Sequence, residues 1–431
     1  MLASSIGLAA VLLLAFLGLP IAFSMGLVGV AGFALLSNMT GALGMAARLT
    51  VDTAQNYGLS VIPLFILMGT FVNRAGLASE LYAASNAFLG HRRGGLAMAT
   101  VVACGGFSAI CGSSLATAAT MSKVAMPPMR RYGYSDSLAT ASIAAGGTLG
   151  ILIPPSVVLV IYGILTEQSI GKLFIAGILP GLLGILLYLL AVRFTVWRDP
   201  ASGPAGERAG TARRLNSLRN SWATLVLFLV VIGGIYGGVF TPTEAAGVGA
   251  GGALLIALIR RRMTLADLAT CLVEAVETSV SLFAILIGAL LFSNFVNRAG
   301  LPDGLLGLVT GFDLTPMGVI VAILLVYILL GCVFESLSMM LLTVPIFYPL
   351  VESLGFDLIW FGIIVVVVTE ISLITPPVGL NVFVLRGVLG DVPTGTIFRG
   401  VTPFWIADIL RLAILVGIPA ISLFLPSLMG S

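Results

Sequence analysis

Phe71-Val72-Asn73-Arg74-Ala75-Gly76-Leu77 returns unchanged as Phe295-Val296-Asn297-Arg298-Ala299-Gly300-Leu301, 224 residues later. Two other landmarks keep nearly the same spacing. Pro154-Pro155 recurs as Pro376-Pro377, and Cys111-Gly112-Ser113-Ser114 stands opposite Glu335-Ser336-Leu337-Ser338. One short identity can arise by chance in a chain rich in small apolar residues. Three landmarks in one register argue for an internal duplication, with halves at 1–197 and 221–431 around a linker at 198–220.

Composition says where such a chain lives. Of 431 residues, 21 are Lys or Arg and 18 are Asp or Glu, so 9% are charged and 59% are hydrophobic. A soluble domain carries about 25% charged residues. So few charges cannot cover the apolar surface in water, and a polytopic membrane protein is expected. The same figures exclude a nucleic-acid binder, a disordered chain and a disulfide scaffold. A net charge of +3 points to no acidic partner. The four cysteines lack Cys-x-x-Cys spacing and read as small buried apolar side chains. His91 is the sole histidine, and no GxxxxGK[ST] is present. Neither an enzyme nor an ATP-driven pump is expected.

A helix crosses the hydrocarbon core in about 20 residues. Crossings are expected near 4–19, 20–37, 53–73, 136–166, 172–197, 221–239, 242–260, 279–298, 357–389 and 403–427. The first two meet at Gly18-Leu19-Pro20 and are short enough to be read alternatively as one bent helix. The stretches 95–129 and 316–351 are too long for one crossing and are broken by small and polar residues. Both read as re-entrant hairpins, tolerated where protein or a wet cavity covers the turn. Seventeen of the 21 basic residues then fall on one side, three on the other, and Arg411 within a span. The positive-inside rule puts the linker in the cytoplasm and both termini in the periplasm. The linker lacks an apolar period and reads as flexible. Five crossings and one hairpin per half turn the second half over. Two inverted repeats with discontinuous elements are the pattern of secondary transporters, with the site at the repeat interface.

The candidate chemistry sits at the breaks. The first hairpin tip carries Ser108, Gly112, Ser113 and Ser114. Small-residue packing explains the glycines but not three hydroxyls where the chain must turn. The run Gly146-Gly147-Thr148-Leu149-Gly150-Ile151-Leu152-Ile153-Pro154-Pro155-Ser156 loses two N–H donors at its prolines, which frees carbonyls one turn back. It reads as an unwound segment lining a site. Its counterpart, 369–381, carries Glu370, Ser372, Thr375 and Asn381. Acids at membrane depth are costly. Glu335, at the second tip, and Glu370 each read either as a cation or proton site or as a structural partner. For both, that partner is a buried Arg or a backbone group. Asp408 and Arg411, three residues apart, are expected to pair.

Through Gly105 to Met126, Gly146 to Ser156, Phe334 to Pro345 and Thr375 to Phe383, the chain resembles the large membrane subunit, DctM type, of tripartite ATP-independent periplasmic (TRAP) transporters. The likeness runs from Gly18-Leu19-Pro20 onward. It implies an all-α elevator-type transporter of the ion transporter superfamily, in the bacterial cytoplasmic (inner) membrane. A transport domain would hold both hairpins and both unwound helices, and a scaffold domain the rest. The activity implied is sodium-coupled import, a symport, of an organic anion such as a dicarboxylate, with no organic cofactor. The implied partners are a small four-helix membrane subunit on a separate polypeptide, a periplasmic substrate-binding protein, the small-molecule carboxylate and membrane lipids, with no nucleic acid. The family's first sodium site would fall on Ser108, Gly112, Ser113, Ser114, Thr148 and Gly150. The second would fall on Glu335, Ser336, Ser338, Ser372 and Thr375. The carboxylate would sit between Ser113 and Ser336, with Pro154, Pro376 and Asn381 nearby. The alternative is a stand-alone sodium- or proton-coupled anion carrier of the same superfamily, working without a binding protein.

Overall fold

The computed structural model describes residues 2–311, 314–332 and 334–429. Among these residues the chain is built of α-helices and short 3-10 turns, without strands. The first half opens with α1 (Leu2–Phe16), α2 (Ile21–Leu36), α3 (Met39–Ala54), α4 (Val61–Arg74) and α5 (Leu77–Leu89). The hairpin arms α6 (Gly95–Cys111) and α7 (Ser114–Arg131) follow, then the broken helix α8 (Asp136–Thr148) and α9 (Val157–Leu165), then α10 (Ile170–Arg198). α11 (Thr211–Asn220) lies in the linker. The second half opens with α12 (Trp222–Tyr236), α13 (Pro242–Ile259), α14 (Leu265–Arg298) and α15 (Leu301–Gly311). Arms α16 (Pro316–Gly331) and α17 (Ser336–Ser353) precede a second broken helix, α18 (Leu358–Ser372) and α19 (Leu380–Leu389), followed by α20 (Thr394–Gly417) and α21 (Ala420–Ser427).

From α4 to α10 and from α14 to α20 the elements come in one order. α17 and α18 begin 222 residues after α7 and α8, and α20 begins 224 after α10. Packing also pairs the halves crosswise. α2 lies along α14 while α4 lies along α13, and α10 packs against α20. The α2–α14 contact brings backbones together. A Cβ on Gly29 would fall 2.6 Å from the carbonyl carbon of Leu291, so only glycine allows this approach. One group of helices, α2 to α4 with α12 to α14, therefore makes a wall. The hairpins, the broken helices, α10 and α20 pack as a second group against it, through α4 on α6 and α14 on α17.

Several expectations need correcting. α14 runs 34 residues, starting at Leu265 rather than near 279. At about 1.5 Å per residue it is about 50 Å long, well beyond the hydrocarbon core. Its first turns carry Asp267, Glu274 and Glu277, which hid them from an apolar reading. Among the described residues six helices are long and apolar enough to cross a membrane, or seven if α11 and α12 form one bent span. The other expected crossings are shorter helices, such as α1 with 15 residues and α2 with 16, or the broken pairs. α1 and α2 are separate helices, parted at Gly18 with φ +88. α3, α5 and α15 were not anticipated, and the last expected crossing divides into α20 and α21. The linker is not free. Gly94 N–H donates to the Gly203 carbonyl at 2.8 Å, Ser135 N–H to Ser202 at 3.0 Å, and Gly206 N–H to Gly90 at 2.9 Å. Arg214 Nε donates to the Ala87 carbonyl at 3.1 Å. Lost polar contact with water is replaced by backbone partners, which a periodicity reading cannot see. All four cysteines are free thiols.

Candidate functional site

The hairpin tips are built by capping. α6 stops at Gly112, whose φ of +63 is open to glycine at little cost. Gly112 N–H donates to the Ser108 carbonyl at 3.0 Å. The next residue, Ser113, is extended and caps α7, its Oγ accepting the Ala116 N–H at 3.4 Å. At the second tip α16 ends on Cys332 in the right-handed region, and the chemistry differs. Glu335 is the cap residue of α17 but makes no side-chain cap bond; its Oε2 accepts the Ser338 hydroxyl at 3.3 Å. Val333, inside the 316–351 hairpin, lies outside the described residues.

Both tips reach one cavity of about 510 Å³. Gly112, Ser113 and Ser114 line it from one side and Glu335 and Ser336 from the other. The opposing wall comes from Thr70 and Asn73 of α4 and from Glu274, Thr278 and Ser281 of α14. Two helix N-termini, those of α7 and α17, therefore end at this space, where partial positive charge collects. Two carboxylates, Glu274 and Glu335, lie on its lining, and among the described lining residues there is no Lys or Arg. Glu274 and Thr278 of the α14 wall were missed in the sequence because the crossing was started at 279, five residues after Glu274.

The first expected ion set is partly assembled. Gly150, in a 3-10 turn after α8, lies against the Ser113–Ser114 peptide: a Cβ there would come within 3.0 Å of Ser113 O and Ser114 N. Ser108 is buried on α6, and its Oγ has no partner among the described residues. Thr148 turns the other way. Its Oγ1 lies 2.8 Å from the Ala145 carbonyl and 3.0 Å from the Tyr188 hydroxyl.

The second set is more spread. Ser372 lies under the second hairpin, since a Cβ on Gly331 would meet its Oγ at 2.7 Å. Ser372 Oγ donates to Thr369 O at 2.6 Å, and Thr375 Oγ1 donates to Ile371 O at 2.5 Å. Trp405 Nε1 donates to Thr375 Oγ1 at 3.0 Å. Glu335, Ser336 and Ser338 are grouped at the tip, with Ser338 behind the cavity lining.

The remaining substrate candidates stand apart from the cavity lining. Pro154 and Pro376 lie in the two breaks, and both Pro-Pro bonds are cis. Cys332 Sγ, at the second tip, is 3.5 Å from the Pro376 carbonyl. Asn381 is fully buried and reaches across the halves, donating from Nδ2 to Ala144 O at 2.9 Å.

Behind both breaks lies a cluster the sequence disclosed only in pieces. Arg411 of α20 pairs with Glu370 of α18 and, at 2.9 Å, with Asp408 one turn away. All three side chains are fully buried. Tyr188 of α10 donates to Asp408 Oδ2 at 2.6 Å and touches Thr148 of α8. Gly184 leaves the guanidinium its room, because a Cβ there would collide with Arg411 Nη1. Of the two readings of Glu370, the structure places it as partner to a buried Arg, and Asp408 and Arg411 pair as expected. Tyr188 carried no signal in an apolar helix.

Comparison with known proteins agrees with this architecture. The family model for the tripartite ATP-independent periplasmic transporter, DctM component, matches residues 8–421. The C4-dicarboxylate TRAP transporter large permease protein DctM of Pseudomonas aeruginosa is 41% identical over 380 residues, covering 88% of each chain. The sialic acid TRAP transporter large permease protein SiaM of Vibrio cholerae is 34% identical over 417 residues, covering 96% of each. Among solved structures, the Alcanivorax borkumensis YdaH transporter superposes with a TM-score of 0.59 at 17% identity, over 96% of this chain and 98% of that one, a likeness of fold alone. The chain belongs to the DctM component family of tripartite ATP-independent periplasmic transporters.

Proposed function

We propose that this DctM-family membrane permease imports an organic carboxylate across the bacterial cytoplasmic membrane, driven by sodium and working by an elevator movement. The observation that carries the reading is the meeting of two hairpin tips at one cavity that offers helix N-termini and hydroxyls but no basic side chain. A carboxylate suits the N-termini of α7 and α17. It does not suit Glu335 and Glu274 on the same lining. Sodium resolves that conflict: a hard cation takes oxygen ligands and cancels the negative charge before the anion arrives. Coupling then follows from charge balance, with the ion needed for the substrate to bind.

The sodium fit rests on what the breaks hold. Ser108 Oγ is buried without a partner among the described residues, and Gly150, bare of a side chain, lets its turn lie against the Ser113–Ser114 peptide. The first ion would be held by the Gly112–Ser114 turn with Ser108 and Gly150, Thr148 being turned toward Tyr188, and the second by Glu335, Ser336, Ser338, Ser372 and Thr375. The repeated helix order and crosswise packing favour inverted repeats, with the hairpin group moving against the wall of α2 to α4 and α12 to α14. The relatives named for C4-dicarboxylate and sialic acid transport both handle carboxylates. A small four-helix subunit and a periplasmic binding protein complete the system, with the linker on the cytoplasmic side.

The test is uptake into vesicles holding this chain, its small partner and its binding protein. Uptake should require an inward sodium gradient, and Ser113→Ala should lower it while leaving the protein folded. Uptake indifferent to sodium sinks the coupling. Full uptake without the binding protein favours the stand-alone carrier.

A further inference from the structure

The cavity has two sides, and their hydroxyls differ in what they have left to give. At the tips, Ser113 Oγ accepts the Ala116 N–H at 3.4 Å, while its own proton meets no acceptor among the described residues. Ser114 and Ser336, also on the lining, donate to none of them either. The tips therefore offer hydrogen-bond donors beside the N-termini of α7 and α17. On the wall the protons are already placed. Thr70 Oγ1 donates to the Leu67 carbonyl at 2.9 Å, Thr278 Oγ1 to Glu274 O at 2.8 Å and Ser281 Oγ to Glu277 O at 2.9 Å. These three show the cavity only lone pairs. Asn73 is the neutral exception: its Oδ1 accepts the Thr120 hydroxyl at 3.2 Å, and its amide hydrogens stay free to donate.

Glu274 stands among these acceptors, exposed and in no ion pair among the described residues. Arg74 of α4 is taken by Asp267 at 3.3 Å. Wall and tips lie close together. A Cβ on Gly69, beside Thr70, would fall 2.9 Å from the Cys111 carbonyl oxygen, so a cargo held at the tips also touches the wall.

We propose that Glu274 is a specificity-determining residue that reads the end of the cargo remote from its carboxylate. It selects an ammonium group there and rejects a second carboxylate. The inference rests on the import reading above and adds a substrate class, an amino carboxylate. An ammonium group has three donors and no lone pair, which matches Glu274 with Thr70 and Thr278 around it. Charge leads to the same class. Two sodium ions balance Glu335 and Glu274, and the cargo carboxylate then leaves one negative charge over. An ammonium group on the cargo cancels it, whereas a second carboxylate doubles it in a space closed off from water, where like charges cost most.

The experiment uses the purified full-length chain in sodium chloride and follows thermal unfolding, a readout separate from transport. The probes are butyrate, γ-hydroxybutyrate, γ-aminobutyrate and succinate, which share a carboxylate and differ at the far end. γ-Aminobutyrate should stabilise at the lowest concentration and succinate only at the highest. Glu274→Gln should raise half-saturating γ-aminobutyrate about tenfold, the scale of a weakened hydrogen bond between charged groups. It should lower that of succinate and leave that of butyrate unchanged. Without probe the variant should unfold as wild type does, since the Glu274 side chain pairs with no neighbour. A wild type that prefers succinate, butyrate or γ-hydroxybutyrate overturns the proposal, and this arm needs no variant. A Glu274→Gln protein with the wild-type order overturns it too. Those outcomes leave sodium-driven carboxylate import standing. Stabilisation by none of the probes overturns the proposal as well, and stabilisation that persists when choline replaces sodium removes the coupling on which it rests.

Discussion

The two hairpin tips solve one backbone problem with opposite electrostatics. At the first, glycine in the left-handed region ends α6 and a serine caps α7, so the turn is neutral. At the second, the cap position holds Glu335, which leaves the helix end uncapped by its side chain and bonds Ser338 instead. The difference continues behind the tips. The first break offers Thr148 and Tyr188, while the second carries Glu370, with Asp408 and Arg411 following on α20. Two tips at one cavity thus divide the labour: hydroxyls and backbone at the first, formal charge at and behind the second.

The largest effect should come from breaking the charged half. Arg411→Met leaves Glu370 and Asp408 buried without a counter-charge, a loss of about 3–5 kcal/mol. Purified yield and the unfolding temperature should collapse. A well-folded Arg411→Met protein would mean that the cluster does not hold the halves together.

Next comes Glu335→Gln, which makes the second tip as neutral as the first. Half-saturating sodium for uptake should rise about 10- to 100-fold, on the scale of a lost contact to a charged group. The unfolding temperature should stay close to wild type, because the glutamate caps nothing. Uptake equal to that of Ser113→Ala would erase the asymmetry argued above.

Gly112→Ala tests the backbone of the first tip. A side chain at φ +63 costs about 1–2 kcal/mol, read as a lower unfolding temperature. Smallest is Ser113→Ala. Cap loss costs about 0.5–2 kcal/mol, and the 3.4 Å bond places this case at the low end. Its stability loss should be slight beside its loss of sodium-driven uptake; a variant that loses stability alone makes Ser113 a cap and nothing more.

The breaks were legible in the sequence because their chemistry is local. Pro154-Pro155 and Pro376-Pro377 cannot donate backbone hydrogen bonds, and Gly112-Ser113 can only turn and cap. Asp408 and Arg411 were legible as a pair because three residues on a helix bring side chains together. Their union with Glu370 and Tyr188 was not, since it depends on how α10, α18 and α20 cross. The polar start of α14 was hidden for another reason. Its three acids resemble a loop until the cavity gives Glu274 a wet surface to face. The linker misled through composition, because glycine, proline and arginine signal freedom in isolation yet offer backbone groups to neighbouring turns.

That fastening sets a leash on the machine. Residues 202–206 are stitched to the turns before α6 and α8, at the base of the first hairpin, while α11 is held to α5 at Ala87. The fastenings of Gly206 and Arg214 fall within four residues at the end of α5, at Gly90 and Ala87, so residues 206–214 are tied to one short stretch of chain. If the hairpin group moves against the wall as proposed, that stretch carries the linker with it, and any displacement relative to α12 falls on the joint between α11 and α12 at Ser221.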